Sequence, residues 1–300
     1  MITTIRGKEI YYEEFKNVDA PAVLYIHGGP GGVGGLDFAK YQAESLSKIC
    51  HLVIPDQRGV WRSEGIGTEE NITLEDIIED FEELRKKLSI DKWSLLSHSF
   101  GGYLSILYAD MYPDSVDKLI MENPSFNFAL SEKSIAEKGI QIIKDQGRDK
   151  EARDYKKSLE AAVSYQEVGA VLGKIAMDLG EDGSKVMWYG SDGDVVENLA
   201  KTSKNGRDNW IKSTATRQKL LGDGRLYHSA FEGVHKINKP CLLLKGIEDP
   251  ITTSDLIKEL EEYVPGTIKA EFTESGHYIH IEEPVKYARV TESFILKKNI

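Results

Sequence analysis

The segment Leu95–Gly102 (LLSHSFGG) contains a serine in a setting that suits nucleophilic catalysis. An apolar run, which predicts a buried strand, leads directly into Ser99 and then into a helical pattern. A tight strand-to-helix turn of this kind holds a serine hydroxyl clear of the sheet, and its usual pattern is G-x-S-x-G. Ser97 replaces the first glycine here and is small enough for that crowded turn. The segment predicts Ser99 as a nucleophile; the alternative is a glycine-rich corner without chemistry.

A serine hydroxyl needs a base, and the base needs an acid that holds it in the correct tautomer. Asp249 follows the apolar run Cys241–Leu244, and His277 follows the run Ile268–Phe272. Both side chains are therefore expected at the edge of the sheet where Ser99 emerges. The chain order Ser, Asp, His also suits a serine on a strand-to-helix turn. Glu248 is the alternative acid.

The chain has seven histidines, so other candidates for the base must be weighed. His98 adjoins the nucleophile and is expected to point elsewhere, and His27 is expected to shape the loop after its strand. His280 lies three residues past His277, and the two could suggest a metal pair. No carboxylate or cysteine partner has the spacing of a metal site. We therefore prefer His277 as the base and expect no metal and no organic cofactor.

The glycine-rich stretch His27–Gly32 (HGGPGG) follows another apolar run. Glycines after a strand let backbone N–H groups face an oxyanion, and the usual second donor is the residue after the nucleophile. Phe100 holds that second position, while Gly28 or Gly29 would supply the first donor. The spacing of phosphate-binding loops and of dinucleotide-binding fingerprints is absent, so nucleotide binding is not expected.

Short apolar runs alternate with amphipathic segments in the first part of the chain, which predicts a mostly parallel sheet covered by helices. The predicted buried strands are Ala22–Ile26, Ile49–Ile54, Trp93–Leu96 and Lys118–Met121. The predicted helices are Leu74–Leu88, opened by a capping box of Thr73 and Asp76, Leu104–Tyr112, and a last one opening near Glu283–Pro284. A hairpin of Thr3–Arg6 and Glu9–Phe15 should add antiparallel strands at one edge.

Strand-like runs vanish between Ser125 and about His235, where the sequence becomes polar and helical in pattern. A helical insert between two strands of one sheet is typical of a lid. We therefore expect a core in two parts, residues 1–125 and 237–300, with a helical lid at 126–236.

Composition excludes several kinds of partner. The net charge of −11 argues against a nucleic-acid surface and disfavours anionic membranes. The N-terminal residues lack an apolar signal region, and no stretch is long enough to cross a bilayer. Cys50 and Cys241 lie in apolar runs and are expected to be buried thiols. The simplest interpretation is a cytoplasmic protein that acts on a small molecule or short peptide, its oligomeric state being open.

Five motifs together resemble the proline iminopeptidase family, serine aminopeptidases among the α/β-hydrolases. They are HGGPG at 27–31, DQRG at 56–59, SHSFGG at 97–102, GIED at 246–249 and SGH at 275–277. The similarity covers about residues 1–125 and 237–300; HGGPG with DQRG is fairly specific to the family. It implies the α/β-hydrolase fold, a mostly parallel central sheet flanked by helices, with a helical lid between two core strands.

The resemblance carries the catalytic triad to Ser99, Asp249 and His277, and the oxyanion loop to Gly28 and Gly29. It implies that Asp56 and Arg58 are structural and tie loops beneath the site by a charged pair. The family usually has glycine where this chain has Trp61, which puts the shape of that loop in question.

Iminopeptidases of this family hold the substrate's free amine with carboxylates, often from a Trp-Glu pair in the lid. Here Trp188 is followed by Tyr189, and Trp210 by Ile211, so the pair is absent. The remaining candidate amine anchors are Glu181, Asp182, Asp192, Asp194, Glu197 and Glu232. Substrate-contacting residues of the lid are expected among Trp188, Tyr189, Trp210, Tyr227 and Glu232, although such aromatics often only hold helices together.

Together these features predict a serine hydrolase with an acyl-enzyme mechanism. An aminopeptidase that releases N-terminal proline or another small residue from short peptides is the first choice. An esterase, lactonase or amidase for a small acyl substrate is the second. A non-catalytic ligand receptor on the same fold is a third interpretation, disfavoured because a receptor needs neither a complete Ser–Asp–His set nor an oxyanion loop.

Overall fold

A single eight-stranded sheet organises the protein, seen in a computed structural model that describes residues 1–17, 19–190 and 194–297. The strand order is β1-β2-β4-β3-β5-β6-β7-β8, and β3 to β8 run parallel, while β1 and β2 pair antiparallel at one edge. The strands are β1 Ile2–Ile5, β2 Lys8–Phe15, β3 Ala22–Ile26, β4 His51–Pro55, β5 Trp93–His98, β6 Val116–Glu122, β7 Cys241–Gly246 and β8 Ile268–Phe272. This arrangement confirms the predicted mostly parallel sheet and the antiparallel N-terminal hairpin.

Helices cover both faces of the sheet and fill the segment between β6 and β7. The helices of the core are α1 Leu36–Leu46, α2 Leu74–Lys87, α3 Phe100–Met111, α9 Ser254–Tyr263, α10 Ile279–Glu282 and α11 Pro284–Ile295. Those between β6 and β7, called the inserted helices below, are α4 Phe128–Asp145, α5 Asp149–Ala161, α6 Tyr165–Leu179, α7 Val195–Thr202 and α8 Gly206–Gly222. Short 3₁₀ turns lie at Pro113–Ser115, Gly180–Val186 and Arg225–Tyr227.

The central strands β3 to β7 are buried on both faces, and their successive side chains point to opposite sides of the sheet. In β3, Leu24 and Ile26 belong to the cluster that packs with α2 and α3, whereas Val23 and Tyr25 belong to the cluster that includes α1 and α11 residues. The inserted helices α4, α5 and α6 have an apolar cluster of their own. This third cluster explains why the sequence of these helices has an amphipathic pattern and not that of a buried strand.

Local signals placed several elements correctly. The capping box of α2 is present: Thr73 Oγ1 accepts from Asp76 N (3.1 Å), and Asp76 Oδ2 accepts from Thr73 N (3.0 Å). Cys50 and Cys241 are buried free thiols, and burial raises the pKa of each to about 12. Within the described residues, no helix is both long and apolar enough to span a membrane.

Helix α3 begins at Phe100, four residues earlier than the sequence predicted. Gly101 and Gly102 argue against helix by propensity, because glycine is costly in a helix interior. Tertiary packing overrides that preference here. A Cβ on Gly101 would lie 2.1 Å from the Ile26 carbonyl oxygen, and one on Gly102 would lie 2.4 Å from Pro124 Cβ. The glycines therefore let α3 pack directly against the end of β3.

Candidate active site

Ser99 stands at the junction between β5 and α3 in a strained backbone conformation. Its φ is +54° and its ψ is −119°, a region that residues with a Cβ rarely occupy and that costs about 1–3 kcal/mol. Three backbone hydrogen bonds hold the turn. Ser99 N donates to Glu122 O (3.0 Å), and Ser99 O accepts from Gly102 N (2.9 Å) and Ser125 N (3.0 Å). The surrounding structure thus fixes a serine on a sharp turn, as the motif predicts.

Ser97, which replaces the usual first glycine of the motif, is fully buried in β5. Its hydroxyl donates to the Ile120 carbonyl oxygen on the neighbouring strand β6 (3.4 Å). The buried hydroxyl is therefore hydrogen-bonded, which removes the main cost of placing a polar group there. The departure from the glycine pattern is accommodated inside the sheet, and the turn keeps its shape.

Asp249 and His277 meet beyond the ends of β7 and β8. His277 Nδ1 lies 2.8 Å from Asp249 Oδ1, with both side chains almost completely buried. Asp249 also accepts hydrogen bonds from Ile251 N (3.1 Å) and Thr252 N (2.9 Å), and Lys245 Nζ lies 3.2 Å from its Oδ2. Burial opposes ionisation, yet the hydrogen bond from His277 and the charge of Lys245 hold the pKa of Asp249 well below its usual range.

An ionised Asp249 determines which nitrogen of His277 carries the proton. The carboxylate accepts the Nδ1 proton, so a neutral His277 has its lone pair on Nε2. The backbone of His277 is held on both sides: its N–H donates to Met187 O (2.7 Å), and its carbonyl accepts from Asn123 Nδ2 (3.0 Å). Ser99 and His277 line the same cavity, which brings the predicted nucleophile and base to one place.

The glycine loop after β3 lies directly against the nucleophile. A Cβ on Gly28 would come 2.9 Å from His98 Nδ1 and 3.2 Å from Ser99 Cβ. Gly29 has a φ of +143°, and a Cβ there would lie 2.7 Å from Gly31 N. Both glycines line the cavity with Ser99, and Phe100 N opens α3, where the first N–H groups have no intrahelical acceptor.

The neighbouring histidines have other partners. His27 Nε2 accepts from Gln57 N (3.0 Å), which confirms that this ring shapes its loop. His98 Nε2 donates to the His277 carbonyl oxygen (3.1 Å), and burial lowers the pKa of His98 to about 3. His280 lies beneath the site between Glu122 and Asp37; burial opposes its charge, but the Glu122 carboxylate raises the pKa of His280 to about 10.

The expected charged pair between Asp56 and Arg58 does not form. Asp56 instead binds Arg62 (2.7 Å) and accepts from Gly35 N (2.9 Å), while Arg58 reaches outward to Asp80 on α2 (2.7 Å). The prediction was wrong about the partners because residues close in sequence need not face each other in a tight loop. Asp56 thus ties its loop to the start of α1, and Arg58 ties the same loop to α2.

Trp61 occupies a backbone conformation that suits glycine, with a φ of +47°. Its side chain is buried with Val33, Val60, Trp188 and Val196, the last on α7. The loop therefore keeps a left-handed turn, and the indole fills the space between this loop and the inserted helices.

A cavity of about 490 Å³ lies over Ser99 and His277. The core side is lined by Ser99, His277, Tyr278 and the glycine loop, and the opposite side by the inserted helices α4, α6, α7 and α8. Its charged lining residues are Asp37, Glu132, Asp194, Glu197 and Arg217. Its apolar lining residues on the inserted helices include Phe128, Ile135, Leu172, Val196 and Trp210.

The structure brings only some of the predicted substrate residues to this cavity. Trp210 lines it, as do two candidate amine anchors, Asp194 and Glu197. Asp192 lies outside the described residues. The other candidates are Trp188, Tyr189, Tyr227, Glu232, Glu181 and Asp182, and none of them is in the described lining.

Aromatic packing explains those differences. The Trp188 indole is buried and stacks on Tyr278 with ring centroids 4.4 Å apart, so it supports the cavity wall from behind. Tyr227 stacks on Tyr165 at 3.9 Å. Tyr189 is 52% exposed, and Glu232 lies on the surface near His228. Lid aromatics at these positions hold helices together or face solvent.

Sequence reasoning missed Glu132 and Arg217. Glu132 lies on α4 one turn beyond Phe128 and next to the buried Ser131, and one of its carboxylate oxygens is buried with no hydrogen-bond partner in the described part of the chain. The sequence did offer one signal for Glu132: it is an acidic residue next to the buried face of an amphipathic helix. Burial raises the pKa of Glu132, against the opposing charge of Arg217.

A family model for the α/β-hydrolase fold matches residues 21–284. The chain belongs to this family. It is 35% identical over 113 residues to the proline iminopeptidase of Neisseria gonorrhoeae, a stretch that covers 38% of this chain and 36% of that protein. It is similarly 35% identical over 112 residues to a probable proline iminopeptidase of Leptolyngbya boryana, which covers 37% and 34% of the two chains. The chain thus matches about a third of the length of these curated relatives.

Solved structures extend the likeness to the whole fold. A proline iminopeptidase-related protein from Thermus thermophilus superposes with a TM-score of 0.72 at 18% identity, covering 99% of this chain and 96% of that one. A meta-cleavage product hydrolase from Pseudomonas fluorescens superposes with a TM-score of 0.66 at 17% identity, covering 100% and 98%. At these identities the likeness establishes the fold alone.

Proposed function

We propose that the protein is a serine hydrolase that works through an acyl-enzyme, with Ser99 as nucleophile, His277 as base and Asp249 as the acid that orients it. One observation carries the proposal: the strained Ser99 lines one cavity with His277, whose ring is held from behind by the buried Asp249. Strained backbone, a low-pKa carboxylate and a histidine held by it are the features that activated serines require.

In the proposed reaction, Ser99 Oγ attacks a substrate carbonyl while His277 Nε2 accepts the hydroxyl proton. His277 then gives that proton to the leaving group, and the C–N or C–O bond breaks. Water attacks the acyl-enzyme by the same route and restores Ser99. Asp249 stays ionised and stabilises the imidazolium, as the low pKa of Asp249 requires.

The negative charge that develops on the carbonyl oxygen needs backbone donors. Gly28 or Gly29, with Phe100, are proposed for this role because the glycines lie against Ser99. Removing one such donor typically costs about 10²–10³ in turnover.

For the substrate, we propose short peptides with an N-terminal proline or another small residue. Two features support an aminopeptidase. The curated relatives are named proline iminopeptidases, and the cavity lining includes Glu132, Asp194 and Glu197, whose carboxylates suit a substrate ammonium. Glu132 is the favoured anchor, because its buried oxygen lacks a partner within the described residues and a buried carboxylate gains most from a cation.

Hydrolysis of a small ester or lactone is the second candidate. The apolar part of the wall, formed by Phe128, Ile135 and Leu172, favours it, because an acyl chain needs no ionic anchor. The fold also serves a meta-cleavage product hydrolase and an enol-lactonase among the solved structures.

The two candidates are separated by substrates that differ in the amine and in the bond cleaved. Turnover of proline p-nitroanilide is measured beside N-acetylproline p-nitroanilide and p-nitrophenyl butyrate, with Ser99→Ala as the control. Release from the free-amine anilide alone supports the aminopeptidase. Release from the butyrate alone supports the esterase. A fluorophosphonate probe that failed to label Ser99 would contradict both and favour a ligand receptor.

A further inference from the structure

Arg217 is a cation in a cavity whose other charged lining residues are acidic. It lies on α8 with Trp210 and Thr214 at helical spacing, and all three line the cavity over Ser99. Among the described lining residues, Arg217 is the one lysine or arginine, and the four carboxylates Asp37, Glu132, Asp194 and Glu197 line the same cavity. The proposed chemistry assigns Arg217 no role. Its position in the cavity wall suits the binding of an anionic group of the substrate.

Helix α8 is fixed against the core, which gives Arg217 a defined position. Thr216 Oγ1 donates to Gly59 O (2.8 Å), and Ser213 Oγ accepts from Trp61 N (2.9 Å). A Cβ on Gly31 would lie 2.6 Å from the Ser213 carbonyl oxygen and 3.3 Å from Arg217 Cβ. Arg217 therefore stands beside the glycine loop that carries the proposed oxyanion donors.

Glu132 lines the same cavity from α4, a helix that is hydrogen-bonded towards the turn of Ser99. Its neighbour Ser131 shares a hydrogen bond with Ser125 (2.9 Å), and Ser125 N donates to Ser99 O (3.0 Å). Arg217 does not come within 4.0 Å of any carboxylate in the described part of the chain, yet its charge still lowers the pKa of Glu132 against burial. The two charges face one cavity without neutralising each other by direct contact.

We propose that Arg217 binds the free C-terminal carboxylate of a short peptide, above all a dipeptide, whose N-terminal amine faces Glu132. An extended dipeptide spans about 7 Å between its charged ends, and it carries opposite charges complementary to the two side chains. A guanidinium suits a carboxylate because it can donate two parallel hydrogen bonds. The scissile carbonyl then lies between the two anchors, at Ser99. This inference rests on the proposed aminopeptidase function and extends it to the leaving group.

The test compares prolyl-glycine with prolyl-glycinamide, which differ only in the terminal charge. We expect the kcat/KM of the free acid to exceed that of the amide about 10- to 100-fold, the usual range for a charge-assisted pair. Arg217→Met should bring this ratio close to one, and Arg217→Lys should keep part of it. Arg153→Met removes a charge from the exposed face of α5 and should keep the wild-type ratio.

Three results would overturn the assignment of Arg217: a wild-type ratio near one, a ratio that survives in Arg217→Met, or an equal fall of the ratio in Arg153→Met. Thermal unfolding and fluorophosphonate labelling of Ser99 check that the Arg217→Met variant retains its fold and its nucleophile. If the wild type cleaves neither peptide but cleaves p-nitrophenyl butyrate, the aminopeptidase proposal itself is wrong. That result differs from cleavage of both peptides without preference, which contradicts only the role of Arg217.

Discussion

The cavity has two walls of different construction. The core wall presents Ser99 and His277, with Asp249 behind His277, and all three follow strands, where backbone hydrogen bonds and burial fix each side chain. The wall from the inserted helices, called the recognition wall below, carries Glu132 and Arg217. Glu132 Oε1 accepts one long hydrogen bond from the Tyr227 hydroxyl (3.5 Å), whereas its Oε2 and the Arg217 guanidinium have no such fixed partner in the described residues. Reacting groups need fixed geometry, whereas groups that recognise a ligand must keep unused bonding capacity. We therefore assign the proposed chemistry to the core wall and substrate choice to the recognition wall.

The largest expected effect concerns the orienting acid of the core wall. Asp249→Asn should lower kcat about 10⁴-fold, because an amide cannot hold the imidazole in the required tautomer. The fold should survive, since the amide oxygen can still accept from one of the two backbone N–H groups, those of Ile251 and Thr252, which bond different oxygens of Asp249. Steady-state turnover of the best substrate, with thermal unfolding as a check, measures this loss.

Glu248→Gln is the matched control, one residue away on the same loop. Glu248 is half exposed and pairs with Lys138 (3.4 Å) outside the cavity, so a change of about twofold or less is expected. Equal losses in the two variants would contradict the assignment of Asp249 and return Glu248 to consideration.

The next effect concerns stability beneath the core wall. His280 Nδ1 and its backbone N–H both contact Glu122 Oε1 at 2.9 Å, and the Glu122 backbone oxygen accepts from Ser99 N. His280→Gln leaves the Glu122 carboxylate buried without its cation, which typically costs about 3–5 kcal/mol. Chemical denaturation at neutral pH measures the free energy of unfolding, and a cost below about 1 kcal/mol would contradict a buried ion pair.

The same pair predicts a pH dependence with a definite sign. The pKa of His280 is raised to about 10 in the folded protein, against about 6.5 when unfolded. The folded state therefore binds the proton more tightly, and this stabilisation is complete below about pH 6.5 and is lost as the pH rises towards 10. Denaturation curves across that range should show the decline in the wild type and a weaker one in His280→Gln.

The sequence predicted the core wall well because local physics determines it. The strand β3 was located to the residue, and Ser99, Asp249 and His277 follow parallel strands whose order brings their ends to one edge. The start of α3 was missed because Gly101 and Gly102 disfavour helix locally, and only contact with the end of β3 shows why they are there.

The inserted helices were predicted as helices but not in their contacts. Their amphipathic pattern reports that one face is buried, yet not which partner buries it. Trp188 and Tyr227 pack against other aromatic rings and do not line the cavity. Glu132 does line it, which the sequence did not predict. Long-range packing decides such positions, and a single sequence carries little information about it.

A substitution at Glu132 tests the recognition wall directly. Glu132→Gln removes the proposed amine anchor while keeping its shape, and it should lower kcat/KM for proline p-nitroanilide about 10- to 100-fold, mainly through KM. The loss should exceed that on p-nitrophenyl butyrate, which has no amine. Glu137→Gln, on the exposed face of the same helix, is the matched control. Equal losses on anilide and ester would show that Glu132 supports the fold and not the amine.

The smallest expected effect lies where the two walls join. Glu282 accepts from Tyr189 N in the segment that links the inserted helices (2.6 Å) and from Gly276 N beside His277 (2.7 Å), and His277 N donates to Met187 O. One carboxylate thus connects the recognition wall to the loop of the proposed base. Glu282→Gln replaces one acceptor oxygen by a donor, so a backbone hydrogen bond to that oxygen is lost at a cost of about 1 kcal/mol.

That cost should appear as a fall in kcat of about three- to tenfold on both peptide and ester substrates, because His277 serves both. Steady-state kinetics on proline p-nitroanilide and p-nitrophenyl butyrate measure it, with Glu274→Gln as an exposed neighbour for control. A change in KM for the peptide alone would place Glu282 with the recognition wall. Wild-type kinetics of Glu282→Gln on both substrates would show that the two walls act independently. Chemistry and recognition would then be separated more completely than the hydrogen bonds of Glu282 suggest.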